Sequence, residues 1–372
     1  MIHEYINKPG AGMFILLAPL DWGLGHATRC IPIIRALQNY GAEVVLGAEG
    51  ATAALLQKEF PHLEILPLKG YRIRYGTSRS SFFLKLISQV LSIQSTINRE
   101  TKWIKDVLTK RPIHGVISDN RFGLYDKNVP SVYITHQLFI ETGIPWLNKL
   151  AQKIHYRFIN RFSECWVPDY GDKRNNLAGK LSHPVNAPRV PVKYLGTISR
   201  FIKEDTRVVY ELLILLSGPE PQRTFFENEL LAQLQTNKQS VVLVRGLPAE
   251  KNIPAGLPRV KIYNHLPADQ LSILIQQSRL VLARAGYSTI MDLVALKQKA
   301  ILVPTPGQGE QEYLADYLQQ QQLFYTCPQE NFDLEETLKN AETFPFAENA
   351  LKKDLCDPVI HDWLVSLKKT TA

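Results

Sequence analysis

The sequence has few cysteines, and none of them has the spacing of a metal site. Its 372 residues contain four, at Cys30, Cys165, Cys327 and Cys356. The lack of a CxxC pair argues against a structural zinc site. So few cysteines in so long a chain are typical of buried free thiols in a reducing compartment. We therefore expect a cytoplasmic protein that folds without disulfides.

Long apolar runs are missing as well. The run from Met13 to Leu20 is too short to cross a bilayer. It follows Glu4 and Lys8 and lacks a convincing cleavage site, so we do not expect a signal peptide. Residues 1–12 are interpreted as an arm before the first strand, with Met13 as an alternative start of the native chain.

Clusters of basic residues are absent, although the chain carries a formal net charge of +8. A positive balance favours an acidic partner, such as a nucleotide, an anionic membrane surface or nucleic acid. The basic residues are dispersed, and no helix-turn-helix, zinc finger or aromatic-basic platform is present. We predict a nucleotide partner and no nucleic acid.

The first half of the chain alternates strand and helix patterns. The apolar segment 14–19 predicts a strand buried on both faces of a parallel sheet, and the helical pattern 27–40 follows it. The other elements predicted here are the strands 43–46, 62–66, 115–118, 132–135 and 164–167 and the helices 51–60 and 82–109. This order is typical of a doubly wound α/β domain.

The second half repeats the alternation after a loop-rich segment at 170–195. Strands are predicted at 211–216, 240–245, 260–263, 280–283 and 299–303, and helices at 223–235, 268–276, 288–296 and 311–320. We predict an acceptor-side domain at 1–196, a nucleotide-sugar domain at 197–345, and a helical segment 346–372 that packs back on the first domain. The predicted fold class is α/β, with two Rossmann-like domains facing across a cleft.

A glycine-rich loop with a histidine joins the first strand to the first helix. Gly23 and Gly25 allow a tight turn and leave room for a substrate, and the N–H groups that open the helix favour negative charge. A nicotinamide-cofactor fingerprint matches poorly, because Thr28 stands where that pattern needs a third glycine and no acidic residue ends the second strand.

His26 and Asp119 are candidate catalytic residues. A histidine at the start of a helix is held near neutral, which suits a general base that removes a proton from a hydroxyl. Asp119 ends another buried strand, from which it can accept a hydrogen bond from His26 and fix its tautomer. A structural histidine and an Asx-turn aspartate remain the alternatives.

Three loops of the second half are candidate donor-binding loops, since each follows a predicted strand and precedes a helix. Such helix starts bind anions through their N–H groups. Their polar side chains include a charged contact for phosphate, a carboxylate for ribose hydroxyls, and amides or a carboxylate for sugar hydroxyls. The candidate residues are Ser217, Gly218, Arg223, Arg284, Gly286, Ser288, Thr289, Asp292, Gln308, Gln311 and Glu312. Plain strand-to-helix turns remain the alternative.

The stretch from Leu280 to Leu318, together with Gly23–His26, resembles the GT-B glycosyltransferases. It is most similar to glycosyltransferase family 28, including the enzyme that adds N-acetylglucosamine to the lipid-linked peptidoglycan precursor. The resemblance implies that His26 is the catalytic base on the acceptor side. It also implies that Gly286, Ser288 and Thr289 lie by the donor diphosphate.

Two positions depart from the family pattern. Asp292 stands where the family has a ribose-binding glutamate, and Gln311 and Glu312 stand where it has a Gln-Gln pair that contacts the sugar. The second departure leaves the sugar open. The pairing of His26 with Asp119 resembles the dyad of small-molecule glycosyltransferases of the same fold.

The implied reaction is an inverting transfer from a UDP-linked sugar to a hydroxyl acceptor, lipid-linked or a glycan. It needs no cofactor, and no DxD carboxylate pair is present to hold a metal. The alternatives are a nucleotide-sugar 2-epimerase and a non-catalytic nucleotide-sugar-binding protein. Peripheral contact with an anionic membrane at its inner face is a further expectation, through Phe82–Ile87 with Arg72, Arg74, Arg79 and Lys85.

Overall fold

The chain forms two compact units. The computed structural model describes residues 8–21, 23–71, 82–141, 145–348 and 356–371. The first unit comprises Met1–Arg200 and Lys352–Ala372, and the second comprises Phe201–Leu351. The chain thus passes into the second unit after Arg200, where the sequence pattern placed the boundary after Gly196.

The first unit contains a parallel sheet of seven strands. These are β1 (Phe14–Pro19), β2 (Glu43–Ala48), β3 (Ile65–Pro67), β4 (Ile113–Asp119), β5 (Ser131–Ile134), β6 (Glu164–Val167) and β7 (Val192–Tyr194). Their order across the sheet is β3-β2-β1-β4-β5-β6-β7. Strands β2 and β3 lie on one side of β1, and strands β4 to β7 follow on its other side. The boundary between β1 and β4 is therefore the topological switch point.

Four helices of the first unit lie between successive strands of its sheet: α1 (Leu24–Asn39), α2 (Gly50–Glu59), α3 (Phe82–Lys110) and α4 (Pro145–Ile159). A fifth described helix, α10 (Cys356–Thr371), follows the second unit in the sequence and belongs to the first unit. The central strand β1 has a continuous apolar sequence because both faces are covered, and Ile15, Leu16 and Leu17 are fully buried.

The second unit has the same plan with six parallel strands. These are β8 (Tyr210–Leu215), β9 (Val241–Val244), β10 (Val260–Tyr263), β11 (Ser278–Ala283), β12 (Ala300–Leu302) and β13 (Tyr325–Thr326), in the order β10-β9-β8-β11-β12-β13. The helices are α5 (Gln222–Gln233), α6 (Ala268–Gln276), α7 (Tyr287–Ala295), α8 (Gly309–Gln320) and α9 (Leu334–Thr343). The switch point lies between β8 and β11.

The last helix, α10, packs on the first unit. Trp363 is buried, and its ring meets that of Trp166 edge to face with centroids 5.5 Å apart. Gly115 on β4 leaves room for this side chain, since a Cβ there would lie 2.6 Å from Trp363. Lys368 also donates a 2.7 Å hydrogen bond to the carbonyl of Lys8.

The sequence pattern missed four elements, and it placed the start of α1 too late. The helices α4 and α9 and the short strands β7 and β13 were not predicted. Helix α1 begins at Leu24, where the pattern predicted Ala27, so Gly25 and His26 lie inside its first turn. Of the two glycines of this loop only Gly23, the N-cap of the helix, adopts a positive φ, of 72°.

The predicted membrane-contact segment lies largely outside the described part of the chain. Residues 72–81 are not described, and neither are the side chains of Phe82–Ile87. Among the described residues, no helix has the length and apolar character of a membrane span.

Candidate active site

The acceptor-side candidates lie at the switch point of the first unit. Pro19 at the end of β1 and Asp119 at the end of β4 are neighbours in the sheet register. The short loop after Pro19 leads through Gly23 into α1, whose third residue is His26. The topology therefore brings the ends of two strands and the start of one helix to one place, as predicted for ligand sites in open α/β sheets.

His26, Asp119 and Arg29 form one hydrogen-bonded group. His26 Nδ1 lies 3.0 Å from Asp119 Oδ2. Arg29 Nε lies 3.1 and 3.0 Å from the two carboxylate oxygens, and its Nη2 also contacts Oδ1. Arg29 Nη2 is in addition 2.9 Å from His26 Nδ1. Asp119 is fully buried and Arg29 is nearly so, which makes this a buried ion pair with a histidine at its edge.

The partners of Asp119 favour its ionised form, whereas burial and then Arg29 favour the neutral form of His26. Burial raises the pKa of Asp119, but the charge of Arg29 and the hydrogen bonds with His26 and Arg29 outweigh this effect and lower the pKa to about 2. Burial and then the Arg29 guanidinium lower the pKa of His26, against the opposing effect of Asp119. A neutral imidazole beside a fixed carboxylate has the protonation state that a general base requires.

Arg29 and Asp119 compete for His26 Nδ1. If Nδ1 carries the proton, it donates to Asp119 and leaves Nε2 as the free acceptor. If Nδ1 is unprotonated, it accepts from Arg29 and the proton sits on Nε2. Only the first tautomer leaves Nε2 able to take a proton from a substrate.

Arg29 is the residue of this site that the sequence analysis missed. It lies one helical turn after His26, on the same face of α1, and this spacing was the available signal. An arginine in the second turn of a helix is usually exposed, however, and the pattern did not show that this one is buried. Cys30 and His136 complete the surroundings, 3.7 Å from Asp119 Oδ2 and 3.5 Å from Arg29 Nη1 respectively.

The loop that precedes Gly23 is held in place by polar contacts with Arg121 and Tyr71. Arg121 forms a buried ion pair with Glu100 and donates a 3.2 Å hydrogen bond to the carbonyl of Pro19. Asp21 accepts a 3.0 Å hydrogen bond from the N–H of Tyr71. Gly70 leaves space for that carboxylate, because a Cβ there would lie 1.7 Å from it. These contacts fix the direction in which the chain leaves β1.

The donor-side candidates lie at the switch point of the second unit. Ser217 and Gly218 follow β8, Arg284 to Gly286 follow β11, and the loop with Gln308 follows β12. Because β8, β11 and β12 are neighbours in the sheet, the three predicted loops occupy adjacent strand ends. The sequence alone placed each loop after a strand but could not show that those strands are adjacent.

Thr305 is a buried hydroxyl without a hydrogen-bond partner among the described residues. It is 2% exposed and lies in the loop after β12. A Cβ at Gly218 would come within 3.7 Å of its Oγ1, so the loops after β8 and β12 meet at this hydroxyl. Gly218 has φ 104°, a conformation that favours glycine. Unsatisfied buried polar atoms are uncommon, and a ligand is one explanation.

Arg223 and Arg284 both bind groups of the second unit itself. The sequence predicted both as donor-binding residues, Arg223 through a contact with a phosphate. Arg223 is buried and paired with Glu220 at 2.5 Å and with Glu227 at 2.7 Å. Arg284 is 1% exposed and stacks over Phe226, and its guanidinium donates to the carbonyls of Val303, Pro304 and Gln222 and to the side chain of Gln329. Burial lowers the pKa of Arg284 to about 10.

Helix α7 begins with the predicted glycine and hydroxyls. Gly286 is the N-cap with φ −75°, so its backbone does not require glycine, and a Cβ there would meet only Thr289 Oγ1, at 3.9 Å. The missing side chain therefore leaves open space at the helix start. Ser288, Thr289 and Asp292 are half-buried. Asp292 is the sixth residue of α7, one turn beyond Ser288 and outside the first turn of the helix.

The three candidates near the start of α8 organise their own loop. Gln311 accepts a 3.0 Å hydrogen bond from the N–H of Thr305 and donates a 2.5 Å bond to Gln308. Glu312 accepts a 2.8 Å bond from the N–H of Gly307. These side chains therefore fix the position of Thr305 and the helix start.

Comparisons with known proteins agree with this architecture. Residues 226–354 match the family model for the glycosyltransferase family 28 C-terminal domain. An uncharacterized glycosyltransferase of Methanosarcina acetivorans is 25% identical over 349 residues, which span 86% of this chain and 87% of the relative.

Solved structures share the fold over nearly the whole chain. MurG of Acinetobacter baumannii superposes with a TM-score of 0.54 at 13% identity, covering 96% of this chain and 94% of its own. UGT2 of Phytolacca americana, complexed with UDP-2fluoro-glucose and pterostilbene, gives a TM-score of 0.62 at 14% identity, with coverage of 96% and 94%. These likenesses confirm the predicted GT-B fold. With the relative and the family match, they show that the chain is a GT-B glycosyltransferase similar to family 28.

Proposed function

We propose that this glycosyltransferase moves a sugar from a UDP-linked donor to an acceptor hydroxyl, with inversion at the anomeric carbon and without a bound metal or other cofactor. The observation that carries the proposal is the group of His26, Asp119 and Arg29 at the start of α1. It supplies a neutral imidazole, a fixed carboxylate and a helix start at the carboxyl end of a parallel sheet.

In the proposed reaction His26 acts as the general base. Nε2 takes the proton of the acceptor hydroxyl as its oxygen attacks the anomeric carbon, and the bond from that carbon to the donor phosphate oxygen breaks. The imidazolium that forms is stabilised by Asp119, which stays ionised because its pKa is about 2. Attack from the face opposite the leaving group inverts the anomeric configuration.

The leaving nucleoside diphosphate is proposed to bind the second unit. Its negative charge suits the N–H groups at the start of α7, the open space at Gly286 and the hydroxyls of Ser288 and Thr305. Asp292 is one turn further along the same helix, placed for the two hydroxyls of a ribose. The choice of uridine is supported by UGT2, whose structure holds UDP-2fluoro-glucose.

The proposed acceptor is a hydroxyl of a lipid-linked molecule or a glycan. The support for an acceptor of this class is the resemblance of Leu280–Leu318 and Gly23–His26 to family 28, which includes an enzyme that acts on a lipid-linked precursor. The protein is proposed to work in the cytoplasm, at the inner face of the membrane when its acceptor is lipid-linked. The proposal does not name the transferred sugar, because Glu312 places a carboxylate where the family pattern has the amide of a glutamine.

The test is incubation of the protein with labelled UDP-sugars, with and without EDTA. We expect transfer, or slow hydrolysis of the donor, to continue in the presence of EDTA. NMR should show that the anomeric configuration of the product is opposite to that of the donor. Loss of turnover with EDTA contradicts the metal-free mechanism. Formation of an epimer instead indicates a nucleotide-sugar 2-epimerase, and tight binding without turnover indicates a binding protein.

A further inference from the structure

A pocket lies on the first unit, between three segments of the chain. It has a volume of about 420 Å³ and is bounded by α3, by the loop that follows β4 and by the segment that joins α4 to β6. Small-molecule sites have volumes of about 300–1,000 Å³, so the pocket has the size of such a site. No catalytic or donor-binding candidate is among the described residues that line it.

Three cations line this pocket, and its described lining contains no carboxylate. Lys102 and Lys105 come from α3, and Arg161 follows α4. Arg35 and Arg111 of the same unit pair with glutamates. The three cations of the pocket, in contrast, form no ion pair within the described part of the chain. Their positive charge therefore favours an anionic ligand.

Aromatic rings, and not a carboxylate, restrain Arg161. The central carbon of its guanidinium lies 5.5 Å from the centroid of the Tyr125 ring and 4.9 Å from that of Phe158. Both distances are within the range of cation–π attraction. The stacked guanidinium keeps its planar set of N–H donors for a phosphate, which arginine can bind through two parallel hydrogen bonds.

Uncharged polar side chains occupy the same side of α3. Gln94, Asn98 and Thr101 are spaced by four and three residues, so they share one face of the helix. Gln94 donates a 2.9 Å hydrogen bond to Asn98 Oδ1, which leaves Asn98 Nδ2 to donate and Gln94 Oε1 to accept. Thr101 donates to the carbonyl of Ile97 at 2.9 Å, and its hydroxyl oxygen can still accept. Neighbouring donors and acceptors suit the hydroxyls of a sugar.

We propose that this pocket binds a sugar phosphate. The three cations hold the phosphate group, and Asn98 and Thr101 bind the sugar hydroxyls. The volume points to a ligand larger than a single inorganic ion, and the polar face of α3 points to a hydroxylated body. The inference goes beyond the proposed transfer reaction, because it uses no residue of the catalytic or donor-binding candidates.

Calorimetric titration of the full chain with glucose 6-phosphate and with glucose 1-phosphate tests the proposal. We expect at least one of them to bind about tenfold or more tightly than glucose or inorganic phosphate, because each of the latter makes only part of the contacts. The affinity should fall as the salt concentration rises, since the cations are at the surface. UDP should not compete, because its proposed site lies in the second unit.

Two sets of variants remove the cations of the pocket. Arg161→Gln should lower the affinity for the sugar phosphate about tenfold or more, the effect of losing a hydrogen bond to a charged group. Lys102→Gln with Lys105→Gln should lower it to a similar extent. The matched control is Lys173→Gln with Arg174→Gln, which removes two exposed cations of the same unit outside the pocket. The control has the same net charge as the lysine double variant and should bind like the parent.

All variants should keep the melting temperature of the parent, since the replaced side chains are exposed or half-buried. Absence of binding by both sugar phosphates overturns the proposal, and so does binding that is unchanged in the Arg161 and lysine variants. Competition by UDP would place the ligand at the donor site and also contradict it. Binding of phosphatidylglycerol vesicles without binding of a sugar phosphate would assign the cations to a lipid headgroup, which overturns the proposal. These readouts need no turnover, so a failure of the proposed transfer reaction would leave them unchanged.

Discussion

Two neighbours act on His26 in opposite directions. Asp119 stabilises the imidazolium, whereas burial and Arg29 disfavour it, and the net effect lowers the pKa of His26. Asp119 could be predicted as a partner because aspartate ends a buried strand of the same sheet. Arg29 could not, because its burial depends on the contact between α1 and Asp119 at the end of β4, which no local pattern encodes.

Replacing His26 by Ala should remove the proposed base. We expect kcat to fall by about 10²- to 10⁴-fold, the usual contribution of a general base, while UDP affinity stays within twofold. Initial rates and calorimetric titration with UDP measure the two effects. His62→Ala, at an exposed histidine bonded to Gln38, is the control and should behave like the parent. Near-normal turnover of the His26 variant would show that another group takes the proton.

Replacing Arg29 by Met should shift the pH dependence of kcat. Activity requires neutral His26, so it falls as the pH drops through the pKa of this residue. The variant loses the repulsion that lowers this pKa and keeps the attraction of Asp119, so the acidic limb should move to higher pH. Arg29→Lys keeps the charge and should leave the limb near its original position. An acidic limb that does not move in the Met variant contradicts the role of Arg29.

Thr305→Val tests whether the unpartnered hydroxyl binds the donor. The change keeps the size of the side chain, so loss of one hydrogen bond should raise the donor KM about 2- to 13-fold. The free protein should lose no thermal stability, because the hydroxyl has no partner among the described residues. Thr337→Val, at a buried threonine of α9, should leave KM unchanged. A loss of melting temperature with an unchanged KM would indicate a purely structural hydroxyl.

At the scale of the elements, long periodic segments and central strands were predictable. The observed limits agree with the predicted ones for β1, β6, β10 and α6. Apolar runs mark these elements, and turn residues mark their ends. Helix α4 was missed because it carries apolar residues on two faces, which hides the helical period. The strand β13 has two residues, too few to produce a pattern.

Helix α7 supports a prediction about the nucleotide. If Asp292 holds the ribose, Asp292→Ala should weaken UDP binding by about tenfold or more, the value of a hydrogen bond to a charged group. The same variant should lose the preference for UDP over 2′-deoxy-UDP, because that preference arises from the 2′-hydroxyl. Titration calorimetry with both ligands measures this difference. Equal weakening for both ligands would place Asp292 away from the ribose.

At the scale of the whole molecule, the two-unit plan followed from length and from the repeated strand–helix alternation. The order of the strands did not, because sequence patterns do not show which strands are neighbours. That order decides where both candidate sites lie, since each site lies at the topological switch point of its sheet. The fold therefore determines where the candidate residues lie, while the sequence determines which residue types they are.

The attachment of α10 to the first unit makes the end of the chain part of its core. Trp363→Ala removes a buried ring that packs on Trp166 and Gly115, and such a change costs about 3–5 kcal/mol. The first unit should therefore melt earlier in calorimetry, while the transition that UDP raises, assigned to the second unit, keeps its position. His361→Ala, at a half-exposed position of the same helix, should change little. A variant that lowered both transitions equally would show that the two units unfold together.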